Sequence, residues 1–232
     1  MKNIFKIIIA IIAGLLIGGV GTYFIINNNS QELKPLPAQE KSEGLRGAYD
    51  IDKNINEKTI DNYLGRPDVA YRDVRMLEDK ATWENKGGER DLTGFVKGFE
   101  VVPYAYLTEF PQEYIDQKKS ENVTGLYKGK TLYRLENGKY VANYKESLEI
   151  LEYIFPKDKT IFLMCGAGGY ANFTKQMLGA LGWDTNKIYN VGGYWNYDGK
   201  NAIITKIEGS KKCDFSKVPY HNIDFSRLTE IK

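Results

Sequence analysis

One of the two cysteines in this chain lies between an apolar run and a glycine-rich turn. The run "TIFLMC" ends in Cys165, which is followed by Gly166, Ala167, Gly168 and Gly169. Glycines let the backbone adopt positive φ angles and turn several N–H groups toward one point. Cys165 is therefore either a small core residue at the end of a strand or a sulfur atom that the loop presents for chemistry.

The residues after the glycines predict an anion-binding loop around the sulfur. The segment "YANFTKQMLGALG" (170–182) has the pattern of a helix that begins directly after the loop. The positive end of its dipole would then face the sulfur. Such surroundings can lower a thiol pKa from about 8.5 by one unit or more. We therefore expect Cys165 to be a thiolate nucleophile that needs no histidine.

Several other chemistries are excluded by the residues that are present. His221 is the only histidine and lies in the C-terminal tail, which argues against a hydrolase with a Cys-His pair. A Cys-x5-Arg phosphatase loop needs arginine where this chain has Ala171. The sequence shows no metal-ligand cluster. The net charge of +2, from 32 basic and 30 acidic residues, gives no support to nucleic-acid binding.

The rest of the chain alternates strand-like and helix-like segments, which is typical of an open parallel α/β sheet with helices on both faces. The Asn137-Gly138 pair between two alternating runs predicts an inserted β-hairpin. The predicted helices cover residues 55–64, 144–155 and 170–182, and the predicted strands cover residues 69–75, 99–105, 160–165 and 187–193.

Four segments, which follow one another along the chain in the family's order, resemble the rhodanese-like sulfurtransferases. "CGAGGYA" is similar to the Cys-Gly-Ser-Gly-Val-Thr-Ala loop of the mercaptopyruvate type. "GRPDVAYRDVR" resembles the family's first strand, with Asp73 and Arg75 in place. "GFVKGFEVVPY" is similar to the Gly-His-Ile-x-Gly-Ala-x-x-Ile-Pro segment. "LGWDTNKIYNVGGYWNYDG" resembles the closing Leu-Gly…Val-x-x-Leu-x-Gly-Gly…Trp segment, with Gly192, Gly193 and Trp195 matched.

The resemblance implies a rhodanese-like fold and a sulfurtransferase activity without a cofactor. Cys165 would attack the outer sulfur of a small donor anion, carry it as a persulfide and pass it to a thiol or cyanide acceptor. Asp73, Arg75 and Trp195 would support the loop. The persulfide-binding loop implied in this way consists of Gly166, Ala167, Gly168, Gly169, Tyr170 and Ala171.

The chain also departs from the family pattern. Phe95 stands at the family's histidine, and the loop lacks the arginine that many thiosulfate-using members carry. Ala167 and Tyr170 replace hydroxyl-bearing residues of the mercaptopyruvate type, so thiosulfate and 3-mercaptopyruvate both stay open as donors. The segment 106–144 is longer than in a typical single-domain member. A second hypothesis is therefore a catalytically weak, rhodanese-fold binding or redox-sensing module of the cell envelope.

The N-terminus has the pattern of a membrane anchor. Residues 7–26 carry no charge, and about twenty apolar residues span a bilayer core of roughly 30 Å. Lys2 and Lys6 precede them, which predicts a cytoplasmic N-terminus and a globular domain outside; a cleaved, secreted form is the alternative. The predicted organisation is a transmembrane signal anchor (1–26), a polar linker (27–50), a rhodanese-like domain (51–208) and a C-terminal tail (209–232).

The second cysteine, Cys213, lies in the predicted tail. Outside the cytoplasm two cysteines often form one disulfide, and a bond to Cys165 would block the site or make it a redox switch. Cys213 is therefore either a regulatory or resolving thiol or a plain exposed or structural one.

Overall fold

The computed structural model of the chain describes residues 33–75, 93–120, 129–209 and 213–232. The chain divides into two compact units, Met1–Leu36 and Pro37–Lys232, and the second contains the α/β fold. Within the described residues, no helix is long and apolar enough to cross a bilayer. The predicted membrane segment, residues 7–26, lies outside the described residues.

A parallel sheet forms the centre of the second unit. The strands of the described residues are β1 (Val69–Asp73), β2 (Gly94–Val96), β3 (Glu100–Val101), β4 (Tyr133–Glu136), β5 (Lys139–Ala142), β6 (Thr160–Cys165), β7 (Ile188–Gly193) and β8 (Ala202–Ile204). The central sheet has the order β3–β1–β6–β7, and all three pairings are parallel. Strands β1 and β7 are buried throughout, as is β6 after its first residue. Burial on both faces explains the unbroken apolar run of β6.

Helices flank this sheet and complete the core. They are α1 (Gly44–Ala48), α2 (Tyr104–Leu107), α3 (Gln112–Ser120), α4 (Ser147–Ile154) and α5 (Gly169–Ala180). Leu151 and Ile154 of α4 share one buried cluster with Met177 and Leu178 of α5. Burial of each such side chain stabilises the fold by roughly 1.5–3 kcal/mol. The predicted mixed α/β fold with a central parallel sheet flanked by helices is confirmed.

Two predicted elements differ from the structure. The helix expected over residues 55–64 is only a short 3-10 turn, Ile60–Tyr63. Here the Asn56 side chain accepts the Lys58 N–H at 3.0 Å, and such local bonds compete with a helix. The strand expected over residues 99–105 ends at Val101, because Pro103 lacks an N–H for a sheet and instead precedes helix α2.

The two short antiparallel pairs lie outside the central sheet. Strands β4 and β5 form the hairpin expected from the sequence, with Asn137 at φ 50° and Gly138 at φ 74°. Positive φ at both central residues is the property that an Asn-Gly turn supplies. Strand β2 pairs with β8, and Phe95 lies opposite Ile203.

The segments on either side of the predicted domain are part of the second compact unit. Residues 37–50, which the sequence places in the linker, contain α1, and Arg46 pairs with the buried Glu57 at 2.5 Å. The predicted tail also packs on the fold, because Tyr220 forms a parallel bridge with Val101. The folded unit thus extends beyond the predicted domain at both ends.

Candidate active site around Cys165

Cys165 is the last residue of β6, between β1 and β7. The carboxyl end of a parallel strand is where open α/β sheets bind ligands. The Cys165 side chain is only 1% exposed and belongs to the main apolar cluster. Both sequence interpretations therefore have a basis in the structure, since the thiol is a core residue and also lies at the edge where chemistry takes place.

The loop after Cys165 turns backbone N–H groups toward the sulfur. Gly168 has φ +101° and precedes helix α5, and its N–H donates to Cys165 Sγ at 3.0 Å. The N–H groups of Ala167 and Ala171 also hydrogen-bond the sulfur. Ala171 is the third residue of α5, so one of these donors belongs to the N–H groups at the helix N-terminus that have no acceptor within the helix. The predicted cup of backbone amides therefore exists.

The pKa of the thiol is opposite to the sequence prediction. Burial raises the pKa of Cys165, and the nearby Asp73 carboxylate raises it further. Hydrogen bonds from Ala171, Ala167 and Gly168 lower the pKa and offset part of this rise. The prediction of a thiolate at neutral pH is therefore wrong for the buried thiol, because loss of solvation outweighs the three amides.

The carboxyl end of β1 holds a buried ion pair beside this loop. Asp73 and Arg75 are 0% and 1% exposed, and the guanidinium Nε of Arg75 lies 3.0 and 2.9 Å from the two Asp73 oxygens. A further hydrogen bond joins Arg75 Nη2 to Asp73. The guanidinium also lies 4.8 Å from the centre of the Tyr194 ring. The structure thus brings both predicted support residues to the edge that carries Cys165.

Trp195 lies against the first residue of the loop. Its backbone N–H donates to the Gly166 carbonyl at 3.1 Å. A Cβ atom added to Gly166 would lie 2.7 Å from the Trp195 ring, so only glycine fits at this contact. Trp195 is nevertheless 45% exposed, which places it at the surface beside the loop.

The side chain of Tyr170 contacts the predicted insertion. Its ring stacks on Tyr104 with 5.6 Å between centroids, and its hydroxyl hydrogen-bonds that of Tyr114. Phe110 and Phe173 complete this aromatic cluster. Tyr170 therefore links the start of α5 to residues of the insertion, a contact that the sequence did not indicate.

Asn190 is a site residue that the sequence analysis missed. It lies in β7, is fully buried, and donates from Nδ2 to the Gly168 carbonyl at 2.9 Å. The same amide donates to the Tyr49 carbonyl at 2.6 Å. A buried strand that is otherwise apolar or glycine favours aliphatic residues, so the asparagine in "IYNVGG" was the available signal.

A polar cleft of about 510 Å³ lies beside α5. Gln39, Asp50, Asn172, Lys175 and Asn190 are among its lining residues, and Lys175 pairs with Asp50 at 2.6 Å. No residue of the loop from 165 to 171 lines it. The cleft is therefore separate from the face of the loop that holds the sulfur.

The other reactive side chains belong to different surroundings. Cys213 forms an antiparallel bridge with Lys206 and packs against the cluster around Phe95, and it is not disulfide-bonded to Cys165. His221 Nε2 lies 2.8 Å from Glu100 Oε2, within hydrogen-bond distance. Within the part of the chain that the structure describes, no group of His, Cys, Asp or Glu residues could hold a metal ion.

No protein-family model, no curated protein and no solved structure matches the chain. The fold and the amide-lined cysteine therefore carry the functional argument.

Proposed function

We propose that this protein is a rhodanese-like sulfurtransferase that carries a sulfane sulfur as a persulfide on Cys165. The observation that carries the proposal is the sulfur position itself. Cys165 Sγ ends a central parallel strand and receives the Gly168 N–H at 3.0 Å, with Ala167 and Ala171 as further donors. Three backbone donors around one sulfur can stabilise a sulfur anion without a cationic side chain.

The proposed reaction uses no group beyond the donor and the acceptor. When the groups around the loop separate, the Cys165 thiol loses its proton to solvent, and the thiolate attacks the outer sulfur of a donor such as thiosulfate. The S–S bond of thiosulfate breaks, sulfite leaves with the bonding electron pair, and Cys165 holds the transferred sulfur. A thiol or cyanide acceptor then attacks the terminal sulfur, and Cys165 leaves as a thiolate.

Two side-chain groups would hold the loop during this reaction. Asp73 and Arg75 form a fully buried pair beside Cys165 and would support the loop from the end of β1. Trp195 lies against Gly166 and would position the entry to the loop. All three match the rhodanese-like motifs in the sequence, and none is within the amide cup itself.

The proposed location is outside the cytoplasmic membrane. Residues 7–26 would anchor the chain, with the N-terminus in the cytoplasm and the α/β unit outside. The nearly balanced charge of the chain gives no support to a nucleic-acid partner.

One observation favours a second candidate, a binding or redox-sensing module of the same fold with weak turnover. Cys165 is 1% exposed, and burial raises its pKa. A donor reaches this sulfur only when the surrounding groups separate, and only a small fraction of the thiol is ionised at neutral pH. Both properties slow the first step.

Sulfur loading of the full-length protein tests the two candidates. Purified, reduced protein in detergent is incubated with thiosulfate and, separately, with 3-mercaptopyruvate, and its intact mass is recorded. A sulfurtransferase gains one sulfur atom, cyanide removes it, and Cys165→Ser does not gain it. If the folded wild-type protein gains no sulfur from either donor, the sulfurtransferase proposal is wrong and the binding module is favoured.

A further inference from the structure

Asn190 is an unusual side chain for its position. It lies in the middle of β7, a strand of the central sheet, and its exposed fraction is 0%. The rhodanese-like closing segment Val-x-x-Leu-x-Gly-Gly has leucine at this position. A buried carboxamide is unfavourable unless its polar atoms are hydrogen-bonded, so its bonds indicate what it does.

The Asn190 amide makes three hydrogen bonds to the backbone. Nδ2 donates to the carbonyls of Gly168 at 2.9 Å and Tyr49 at 2.6 Å. Oδ1 accepts the Gly192 N–H at 3.0 Å. Both N–H donors of the side chain are therefore used, and its orientation is fixed.

One of these bonds is made to Gly168, the residue whose N–H group hydrogen-bonds the sulfur. The N–H of Gly168 donates to Cys165 Sγ at 3.0 Å, and the carbonyl of Gly168 accepts from Asn190 at 2.9 Å. The Gly168 carbonyl also accepts the first helical N–H, from Asn172, at 3.0 Å. Gly168 is thus held between the sulfur on one side and β7 on the other.

Residues 49–51 contact both Asn190 and Gly168. Ile51 forms a parallel bridge with Asn190. A Cβ atom added to Gly168 would lie 2.7 Å from the Ile51 side chain. Because Tyr49 is the other acceptor of the Asn190 amide, segment 49–51 and the loop are joined through one side chain.

We propose that Asn190 is a positioning residue that orients Gly168 so that its N–H group points at the sulfur of Cys165. The proposal deepens the sulfurtransferase function proposed above, on which its catalytic meaning rests. Leucine at position 190 would leave the carbonyls of Gly168 and Tyr49 without this donor. The Gly168 carbonyl would keep only the Asn172 N–H, so the hydrogen bond that ties the loop to β7 would be lost. The amide cup would then lose its fit to a sulfur anion.

The replacement Asn190→Leu changes no charge, which makes the thiol pKa a clean measure of geometry. The charged groups near the loop and Asn190 include three ion pairs, Asp73–Arg75, Glu57–Arg46 and Asp50–Lys175. All of them are unaltered in the variant. A change in the pKa of Cys165 would therefore come from the hydrogen bonds and not from a new charge.

The experiment follows ionisation of Cys165 in the full-length protein. In a Cys213→Ser background with isotope-labelled cysteine, NMR records the Cβ chemical shift of Cys165 against pH. We expect Asn190→Leu to raise the midpoint by about one pH unit, the shift for losing one hydrogen bond to a charged group. A folded variant with an unchanged midpoint would overturn the proposal.

A matched control and a milder variant complete the test. The Asn143 side chain bonds Thr131 and Arg134 in the region of the hairpin, with 2.9 Å to the Thr131 carbonyl, and Asn143→Leu should leave the midpoint unchanged. If Asn190→Leu does not fold, Asn190→Ser replaces it, and hydrogen exchange of the Gly168 N–H is measured as well. Exchange as slow as in the wild type, with an unshifted midpoint, would again contradict the proposal.

Sulfur loading separates this inference from the function on which it rests. If wild-type protein gains sulfur while Asn190→Leu gains it at the same rate with an unchanged midpoint, the function stands and the positioning role is wrong. If wild-type protein gains no sulfur but the midpoint rises in Asn190→Leu, Asn190 positions the loop and the proposed reaction is wrong.

Discussion

The two cysteines of this chain lie in opposite kinds of surroundings. Cys165 ends a central strand, is 1% exposed and receives three backbone N–H groups. Cys213 is partly buried in the cluster around Phe95, where it bridges to Lys206. Cys213 is thus the more accessible thiol, and the amide cup surrounds the thiol that solvent does not reach.

This difference shows that the loop and the core act on Cys165 in opposite directions. The amides favour the anion, whereas burial and Asp73 favour the neutral thiol, and the net effect is a raised pKa. The arrangement therefore does not hold Cys165 as a permanently ionised nucleophile.

The largest expected effect comes from the ion pair beside Cys165. Asp73→Asn leaves the guanidinium of Arg75 buried and without its carboxylate, which destabilises the protein by about 3–5 kcal/mol. The matched change on the other side is Asp214→Asn, next to Cys213, where an exposed pair with Lys217 is lost. Denaturant unfolding should show a large loss for the first variant and little for the second; equal losses would contradict the comparison.

Alkylation of the native protein tests the difference in exposure. We expect Cys165 to react with iodoacetamide roughly a hundredfold more slowly than Cys213, as for a site that needs a local opening of about 3 kcal/mol. Mass spectrometry of peptides reports each thiol separately, and denaturant should make the two rates similar. Comparable rates in the native state would show that Cys165 is as accessible as Cys213, which would contradict the difference in exposure.

The elements that carry Cys165 were predictable because their signals are local. The apolar run of β6 predicted a buried parallel strand with the bounds that the structure shows, Thr160–Cys165. The glycines after it predicted the turn, and helix α5 begins at Gly169, one residue before the predicted start. Run length, positive φ and helix periodicity are all properties of neighbouring residues.

The direction of the Cys165 pKa shift and the contacts of Gly168 with Asn190 and Ile51 were not predictable in this way. Burial of Cys165 depends on side chains from distant parts of the chain. The glycines alone therefore predicted a lowered thiol pKa, whereas burial raises it. Tyr49 and Ile51 lie in or beside a polar stretch without periodicity, yet the structure places both against the Asn190–Gly168 connection. Contacts of this kind depend on the fold and leave no periodic pattern in the sequence.

Alanine substitutions at two glycines test how closely the loop after Cys165 is packed. Gly168 and Gly98 both have positive φ, at +101° and +91°, but only an added Cβ at Gly168 meets a neighbour, the Ile51 side chain. Alanine strains the backbone at both sites by about 1–2 kcal/mol. The contact at Gly168 should add about 1–3 kcal/mol. Thermal unfolding of the two alanine variants gives the difference, and equal losses would mean that Ile51 moves away.

The smallest expected effect is the dependence of stability on the ionisation of Cys165. Its pKa is raised in the folded protein, so the folded state keeps the thiol proton at pH values where the unfolded chain has lost it. This contribution to stability is complete below the pKa of an ordinary thiol, about 8.5. It is lost progressively as the pH rises through the folded pKa.

The measurement compares wild-type protein with Cys165→Ala in denaturant unfolding from neutral to alkaline pH. The difference in free energy of unfolding between them should shrink as the pH rises. The difference between the wild type and Cys213→Ala should show no comparable trend. NMR of the Cys165 Cβ in folded and unfolded protein gives the two midpoints directly, and the folded one should be the higher. A lower folded midpoint would mean that the three amides outweigh burial, and Cys165 would then be the neutral-pH thiolate that its glycine-rich loop predicts.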